Sequence, residues 1–269
     1  MVKLLIFIFG LIFGSFIGAT TWRLHKFRKT PKKIYQGRSI CENCKHELSP
    51  LDLFPLLSYL FLKGKCRYCG HKIGGFAPFI ESFTGLIFIL NYIYWPYGFE
   101  GIHIIYFALW LLMVVGFLIL ALYDFRWKTL PSSVIYITAI LSILGLLVYI
   151  VSTRNYSILF SRIWGVLIGG GIFWVIYQIS NGQWIGGGDV RIGFLLGLIV
   201  GGPLNILLML FISSVSGLIY SLPMMFLRKF NTKTQIPFGP FLILGCVVIF
   251  LYGERIISYL KNSGILPIY

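Results

Sequence analysis

The chain predicts an all-α polytopic membrane protein of about eight transmembrane helices, with a small four-cysteine domain on the cytoplasmic side between the first and second spans. Three observations carry this. Mean hydropathy is +0.86 and only 12% of the residues are charged, far too apolar for a water-soluble domain. Mostly apolar runs recur at roughly the 20-residue length that crosses a bilayer as a helix. Lysine and arginine gather in alternate connections rather than evenly along the chain.

The runs come in order. The first, 3–22, has only Lys3 ahead of it and is followed by the basic stretch RLHKFRKTPKK at 23–33. That pattern predicts a retained helix with a cytoplasmic exit rather than a cleaved signal peptide. Further runs lie at 82–97, 102–123, 133–152, 163–181, 190–201, 204–227 and 238–260. The sixth is short and rich in glycine, and GGP at 201–203 separates it from the seventh, so seven spans is the competing count.

With the N-terminus outside, segments 23–81, 124–132, 182–191 and 228–237 face the cytoplasm and hold 12, 2, 1 and 3 basic residues, 18 of the 23. The outer side keeps Lys3, Arg154, Arg162, Arg255 and Lys261. The net charge of +15 then reads as inside-positive bias with contact to anionic lipid. It does not read as nucleic-acid binding, because the basic loop has no interleaved aromatic pattern for stacking. The expected division is 1–22 as the first transmembrane helix, 23–81 as a cytoplasmic loop domain and 82–269 as the transmembrane core.

The loop carries CENC at 41–44 and CRYC at 66–69, with 21 residues between the pairs. Two thiolates at Cys-x-x-Cys spacing grip one ion from a tight turn, and two such turns complete a tetrahedral site. Cys41, Cys44, Cys66 and Cys69 are therefore candidate ligands for a structural zinc ion, which would supply folding energy to a loop too small for a core of its own. Redox-active or free thiols are the competing reading, and a cytosolic setting argues against stable disulfides. The fifth cysteine, Cys246, lies in the last span and reads as a small buried hydrophobe.

Only three aspartates exist, Asp52, Asp124 and Asp189. Asp124, in LYDFRWKTLP, falls where an apolar span ends, and Asp189 closes GGGD just before the sixth run. Both fall at cytoplasmic span ends. Carboxylates at membrane depth usually face a protein interior or a water-filled cavity. A pair sharing one proton can act as general base toward water and general acid toward a leaving amine. On residues alone two readings stand: a catalytic pair, or a helix-capping Asp189 with Asp124 ion-paired to Arg126 or Lys128.

The ordered motifs resemble those of the type IV prepilin peptidase family, the bacterial leader peptidases for pilin-like proteins. GSF at 14–16 with Arg23 resembles its first-span signature. CENC through SPLDLFPLLSYLFLKGKCRYCG resembles its cysteine loop, and PFIES at 78–82 the segment entering the second span. YDFRWKTLP and GGGDVRIGFLLG resemble its two aspartate motifs, and IPFGPFLILG at 236–245 the opening of the last span. The match runs over nearly the whole chain, in order.

The resemblance implies an intramembrane aspartic protease of the Gly-x-Gly-Asp type, with Asp124 and Asp189 as the catalytic pair, no metal in cleavage, and 82–269 as the protease core. It implies prepilin or pseudopilin substrates, cut on the cytoplasmic face of the bacterial inner membrane. It further implies N-methylation of the new N-terminus with S-adenosylmethionine, a function tied to the cysteine loop. Glu81 matches a family glutamate and is a candidate for the methylation site or for loop docking. Three positions depart from the family pattern: Gly18 for an asparagine, Ser132 for an acidic or asparagine residue, and Phe76-Ala77 for Arg-Tyr. The glycines Gly165, Gly169, Gly170 and Gly171 read as a surface for a substrate helix or as packing between spans. Which prepilin is cut, the position of the methyl-donor pocket and the oligomeric state are not encoded in any motif of the chain.

Overall fold

A computed structural model describes residues 1–28, 38–226 and 236–264. Lys29, Lys32, Lys33, Arg228, Lys229 and Lys233, which enter the inside-positive count, lie outside the described residues. The described chain is helical and divides into two compact units, Met1–Tyr94 and Trp95–Tyr269.

The first unit pairs α1 (Val2–Lys26) with α3 (Phe76–Ile93). Glycines allow the two helices to touch backbone to backbone. A Cβ on Gly10 would lie 2.6 Å from the Gly85 Cα, and one on Gly14 would lie 2.5 Å from the Glu81 Cα. The first position rises as the second falls, so the helices run antiparallel. Helix α3 starts six residues before the expected 82, because Pro78 sits in its first turn, where a missing N–H costs nothing. Between them lie the cysteine loop, a single 3₁₀ turn at Pro50–Leu53 and the short α2 (Leu57–Phe61).

The second unit holds α4 (His103–Trp127), α5 (Ser132–Thr153), α6 (Ser157–Ile179), α7 (Gly187–Val200), α8 (Pro203–Phe226) and α9 (Gly239–Asn262). Helix α4 packs on α5 and α9, and α7 packs on α5, α6 and α9. Among the described residues, seven helices are long and apolar enough to cross a membrane. The remaining expected run, the sixth, is α7, whose 14 residues rise only about 21 Å against a hydrocarbon core of about 30 Å.

Helix α7 stops because Gly201 and Gly202 take left-handed φ values of 65° and 61°, and Pro203 then opens α8. Its last carbonyls are not abandoned in the apolar interior. The Arg162 Nη1 donates to the Ile199 carbonyl and the Asn205 Nδ2 to that of Val200 at 3.4 Å, with the guanidinium also opposing the negative helix end.

The α6 glycines mostly serve packing. A Cβ on Gly169 would meet the Gly193 carbonyl at 3.0 Å and the Gly197 Cα at 3.2 Å, and Gly165 and Gly170 are likewise closed off by α7. Only Gly171 faces open space. Cys246 is fully buried in α9, as a small hydrophobe would be.

Candidate active site and metal centre

Asp124 stands in the last turn of α4, 6% exposed. The helix ends three residues later because Lys128 turns left-handed at φ 52° and returns its N–H to the Asp124 carbonyl at 2.8 Å. Pro131 then forbids a continued helix, and α5 begins at Ser132. Asp189 is the third residue of α7, after Gly187 and Gly188 and the extended N-cap Gly186. Its N–H closes the turn on the Gly186 carbonyl at 2.9 Å, and its carboxylate sits at the positive end of the helix.

The end of α4 and the start of α7 meet at one end of the unit. Both carboxylates line a cavity of about 450 Å³, with Lys128, the 182–186 turn and Pro237-Phe238. The start of α9 completes the site, because the Gly239 N–H donates to Asp124 Oδ2 at 3.1 Å. Glycine leaves room for that carboxylate, since a Cβ would lie 2.7 Å from the same oxygen and would push it aside. So Asp189 does sit as a helix-capping aspartate would, and it also faces a cavity shared with a second carboxylate. The polar partner of Asp124 is a backbone N–H rather than an ion pair with Lys128. Two carboxylates on one open cavity are an arrangement able to act as general base and general acid toward a molecule that enters it.

The four loop cysteines converge, with their sulfurs all within 4.8 Å of one another. Cys41 Sγ and Cys69 Sγ are 3.9 Å apart, close to the roughly 3.8 Å edge of a tetrahedron with zinc–sulfur bonds of about 2.3 Å and far from the 2.05 Å or so of a disulfide. Each pair sits in the same turn. Cys41 N–H bonds the His46 carbonyl and Lys45 N–H the Cys41 carbonyl, while Cys66 N–H bonds that of His71 and Gly70 N–H that of Cys66. Lys45 and Gly70 supply the left-handed residue of each turn.

These turns aim backbone N–H groups at sulfur. The His71 N–H, helped by Asn43, holds the Cys69 thiol down to about 6, and the Cys44 N–H lowers that of Cys41. The Cys44 thiol receives the His46 N–H, yet desolvation and its bonds to Cys41 and Cys69 push it to about 11. Four thiols so arranged ionise together only when a cation neutralises them, and the donor set fits zinc.

Glu81, 7% exposed, faces the loop from α3. Its Oε2 accepts the Leu56 N–H at 2.9 Å, and the Ser15 hydroxyl also donates to it. These bonds tie the loop to α1 and α3. Sequence reasoning left Asp52 without a task. It caps the Pro50–Leu53 turn through Ser49 and bonds Arg67 at 2.6 Å and the Tyr68 hydroxyl at 3.2 Å, fastening that turn to the second cysteine knuckle. The role of Gly239 was equally hidden, although its IPFGP motif stood out.

Comparison with known proteins gives the family of the chain. The profile of the Bacterial Peptidase A24 N-terminal domain matches residues 8–95, and that of the Type IV leader peptidase family matches residues 110–222. The Prepilin leader peptidase/N-methyltransferase of Bacillus subtilis (strain 168) is 30% identical over 258 residues, covering 95% of this chain and 96% of that protein. The protein of the same name from Pseudomonas aeruginosa is 30% identical over 278 residues, covering 95% and 92%. The Type 4 prepilin-like proteins leader peptide-processing enzyme of enterotoxigenic Escherichia coli is 30% identical over 254 residues, covering 88% of each chain. No solved structure matches the chain. An all-helical membrane chain with this pair of profiles, and relatives alike from end to end, belongs to the type IV leader peptidase family.

Proposed function

We propose that the chain is a membrane aspartic peptidase that removes the leader of prepilins or pseudopilins and then N-methylates the new N-terminus, with Asp124 and Asp189 as the cleavage pair. The observation that carries the cleavage site is the shared cavity: two carboxylates from different helices open onto one space at one end of the second unit.

The pair shares one proton. The ionised carboxylate takes a proton from water, whose oxygen attacks the scissile carbonyl carbon. The protonated carboxyl gives its proton to the carbonyl oxygen. The intermediate collapses as the first carboxyl protonates the leaving nitrogen and the second takes back a hydroxyl proton, so the pair ends as it began. Gly239 orients Asp124 through its N–H, and the glycines before Asp189 let a substrate backbone lie close. The end of the unit that holds the pair is assigned to the cytoplasmic side, on the strength of the lysine and arginine count.

Cys41, Cys44, Cys66 and Cys69 would hold zinc as a structural ion. It would serve the folding of a loop too small for a core of its own. Methyl transfer takes its methyl group from S-adenosylmethionine, and this part of the reading rests on the named relatives. The cavity between the loop and the α1–α3 pair is only about 170 Å³. That admits a group of about benzene size, so its lining does not fit the whole donor.

The test is cleavage of a purified prepilin in liposomes by wild type, Asp124→Ala and Asp189→Ala, with product masses read by mass spectrometry. Both variants should lose cleavage while remaining folded, and the wild-type product should gain one methyl group only when S-adenosylmethionine is added. Cleavage surviving either substitution would refute the pair.

A further inference from the structure

Helix α7 is too short to cross the bilayer, and the fold leaves a space beyond its end. A cavity of about 260 Å³ lies there, lined by Ile199 and Val200 of α7, by Arg162 of α6, and by Glu254 and Arg255 of α9. Asp189 stands in the first turn of α7 and Val200 closes it, so this cavity and the carboxylate pair lie at opposite ends of one helix. Along α9, Glu254 lies a rise of about 23 Å beyond Gly239, still within an apolar layer of about 30 Å.

The lining carries two arginines, Arg162 and Arg255, against one carboxylate, Glu254, a net charge of +1. Arginine cannot shed its proton. A cation at membrane depth is costly without a counter-charge or water. Arg162 is half-buried and uses a single N–H of its planar fork on the Ile199 carbonyl, whereas Glu254 and Arg255 are exposed. Among the described residues the ion pairs are Arg67–Asp52 and Arg38–Glu47, and none of these three side chains joins one. Asn205 lines the cavity too, and its Oδ1 is buried without a donor among the described residues. Ile158, Ile249 and Ile257 give the cavity an apolar side.

We propose that this cavity binds a phosphodiester, and that the phosphodiester is the headgroup of a lipid from the leaflet opposite the aspartate pair. A singly charged phosphodiester balances the net charge of the lining. The fork of Arg162 matches its two free oxygens, and Arg255 adds a second cation. Hydroxyls on the headgroup are donors for Glu254 and Asn205, and the isoleucines take the start of the acyl chains. A lipid is favoured over a dissolved phosphodiester because the site lies inside the apolar layer. The site makes no use of cleavage, so it stands apart from the peptidase reading.

The probe is phosphatidylglycerol with a photoreactive diazirine on each acyl chain near its ester, added to the full chain in maltoside micelles, which carry no phosphate. Diacylglycerol with the same diazirines is the neutral twin, and labelled peptides are read by mass spectrometry. Labelling at 158–162 and 249–257 should exceed that by the twin at least about ten-fold, the gain expected from charge-assisted hydrogen bonds. Arg162→Gln should lower it by about ten-fold and Arg255→Gln by about five-fold. Glu254→Gln should raise it by about two- to five-fold, because it removes a like charge from beside the phosphate. Arg162 also caps α7, so the opposite responses of the two α9 variants keep the test decisive if Arg162→Gln loosens that helix.

Equal labelling by probe and twin, or labelling of these segments indifferent to all three substitutions, would overturn the proposal. Loss of labelling when glycerophosphoglycerol is added at millimolar concentration would overturn the lipid source and assign the site to a dissolved phosphodiester.

Discussion

Gly239→Ala perturbs the proposed cleavage site by a single methyl group. The added Cβ would fall 2.7 Å from Asp124 Oδ2, whereas ordinary van der Waals contact begins near 3.4 Å, so something must move by 0.7 Å. The backbone of α9 has little freedom, since Phe241 and Leu242 behind Gly239 are buried. The movement therefore falls on the Asp124 carboxylate, which also loses alignment with the Gly239 N–H. A displacement of this size at reacting groups costs on the order of 10²-fold in rate, or about 2.7 kcal/mol of transition-state stabilisation. The assay is kcat/KM for prepilin cleavage in detergent, with helical content and Tm as folding controls. Gly171→Ala is the matched control, because a Cβ there meets nothing within 4 Å. A Gly239→Ala enzyme that is folded and as fast as the Gly171→Ala enzyme would refute the geometry.

Other consequences follow from the first unit. The Cys69 thiolate is stabilised in the fold, its pKa lowered from the ordinary thiol range to about 6. Its contribution is complete above the unfolded value and is lost as pH falls through the folded one. Zinc binding displaces thiol protons, so zinc bound to the cluster should be released into a chromogenic chelator as the solution is acidified, and a zinc content indifferent to acid would contradict the assignment. Gly14→Val should force α1 away from the Glu81 backbone and lower stability by about 1–3 kcal/mol, seen as a fall in Tm in detergent. Arg67→Ala removes the ion partner of Asp52, whose side chain is 3% exposed. Arg67 itself is 46% exposed, so the loss should be near 1 kcal/mol rather than the value for a fully buried pair. Burial raises the Asp52 carboxyl, but bonds from Arg67, Ser49 and Tyr68 outweigh it and hold the carboxyl below its ordinary range. That stabilisation is present above the ordinary carboxylate pKa and disappears as pH falls through the lowered one. The Tm gap between wild type and Arg67→Ala should accordingly close in acid.

The span pattern was legible because it depends on local quantities, run length and side-chain polarity, that survive without neighbours. The cysteine cluster was legible for a similar reason, as a Cys-x-x-Cys turn brings its own two sulfurs together and the repeated Gly-or-Lys turn residue marks each knuckle. Where the reading missed, the deciding contact lay elsewhere in the chain. Helix α3 starts at Phe76 rather than near 82 with Pro78 in its first turn, and its second turn packs on α1 at Gly14, a contact that a hydropathy window cannot see. The 190–201 run looks like a span in composition, but Gly201 and Gly202 end it and Arg162 of α6 caps it.

The sequence by itself determined that this chain lives in a membrane, that its loop carries four convergent thiols, and that Asp124 and Asp189 are the two aspartates at span ends. Tertiary structure alone decided that those two aspartates share a cavity, that Gly239, 115 residues from Asp124, supplies the hydrogen bond that holds it, and that Glu81 accepts the Leu56 N–H of the loop. The physical reason is distance along the chain. Apolar length and turn chemistry act between neighbours, whereas a backbone N–H meets a carboxylate from another helix only after α4, α7 and α9 have packed.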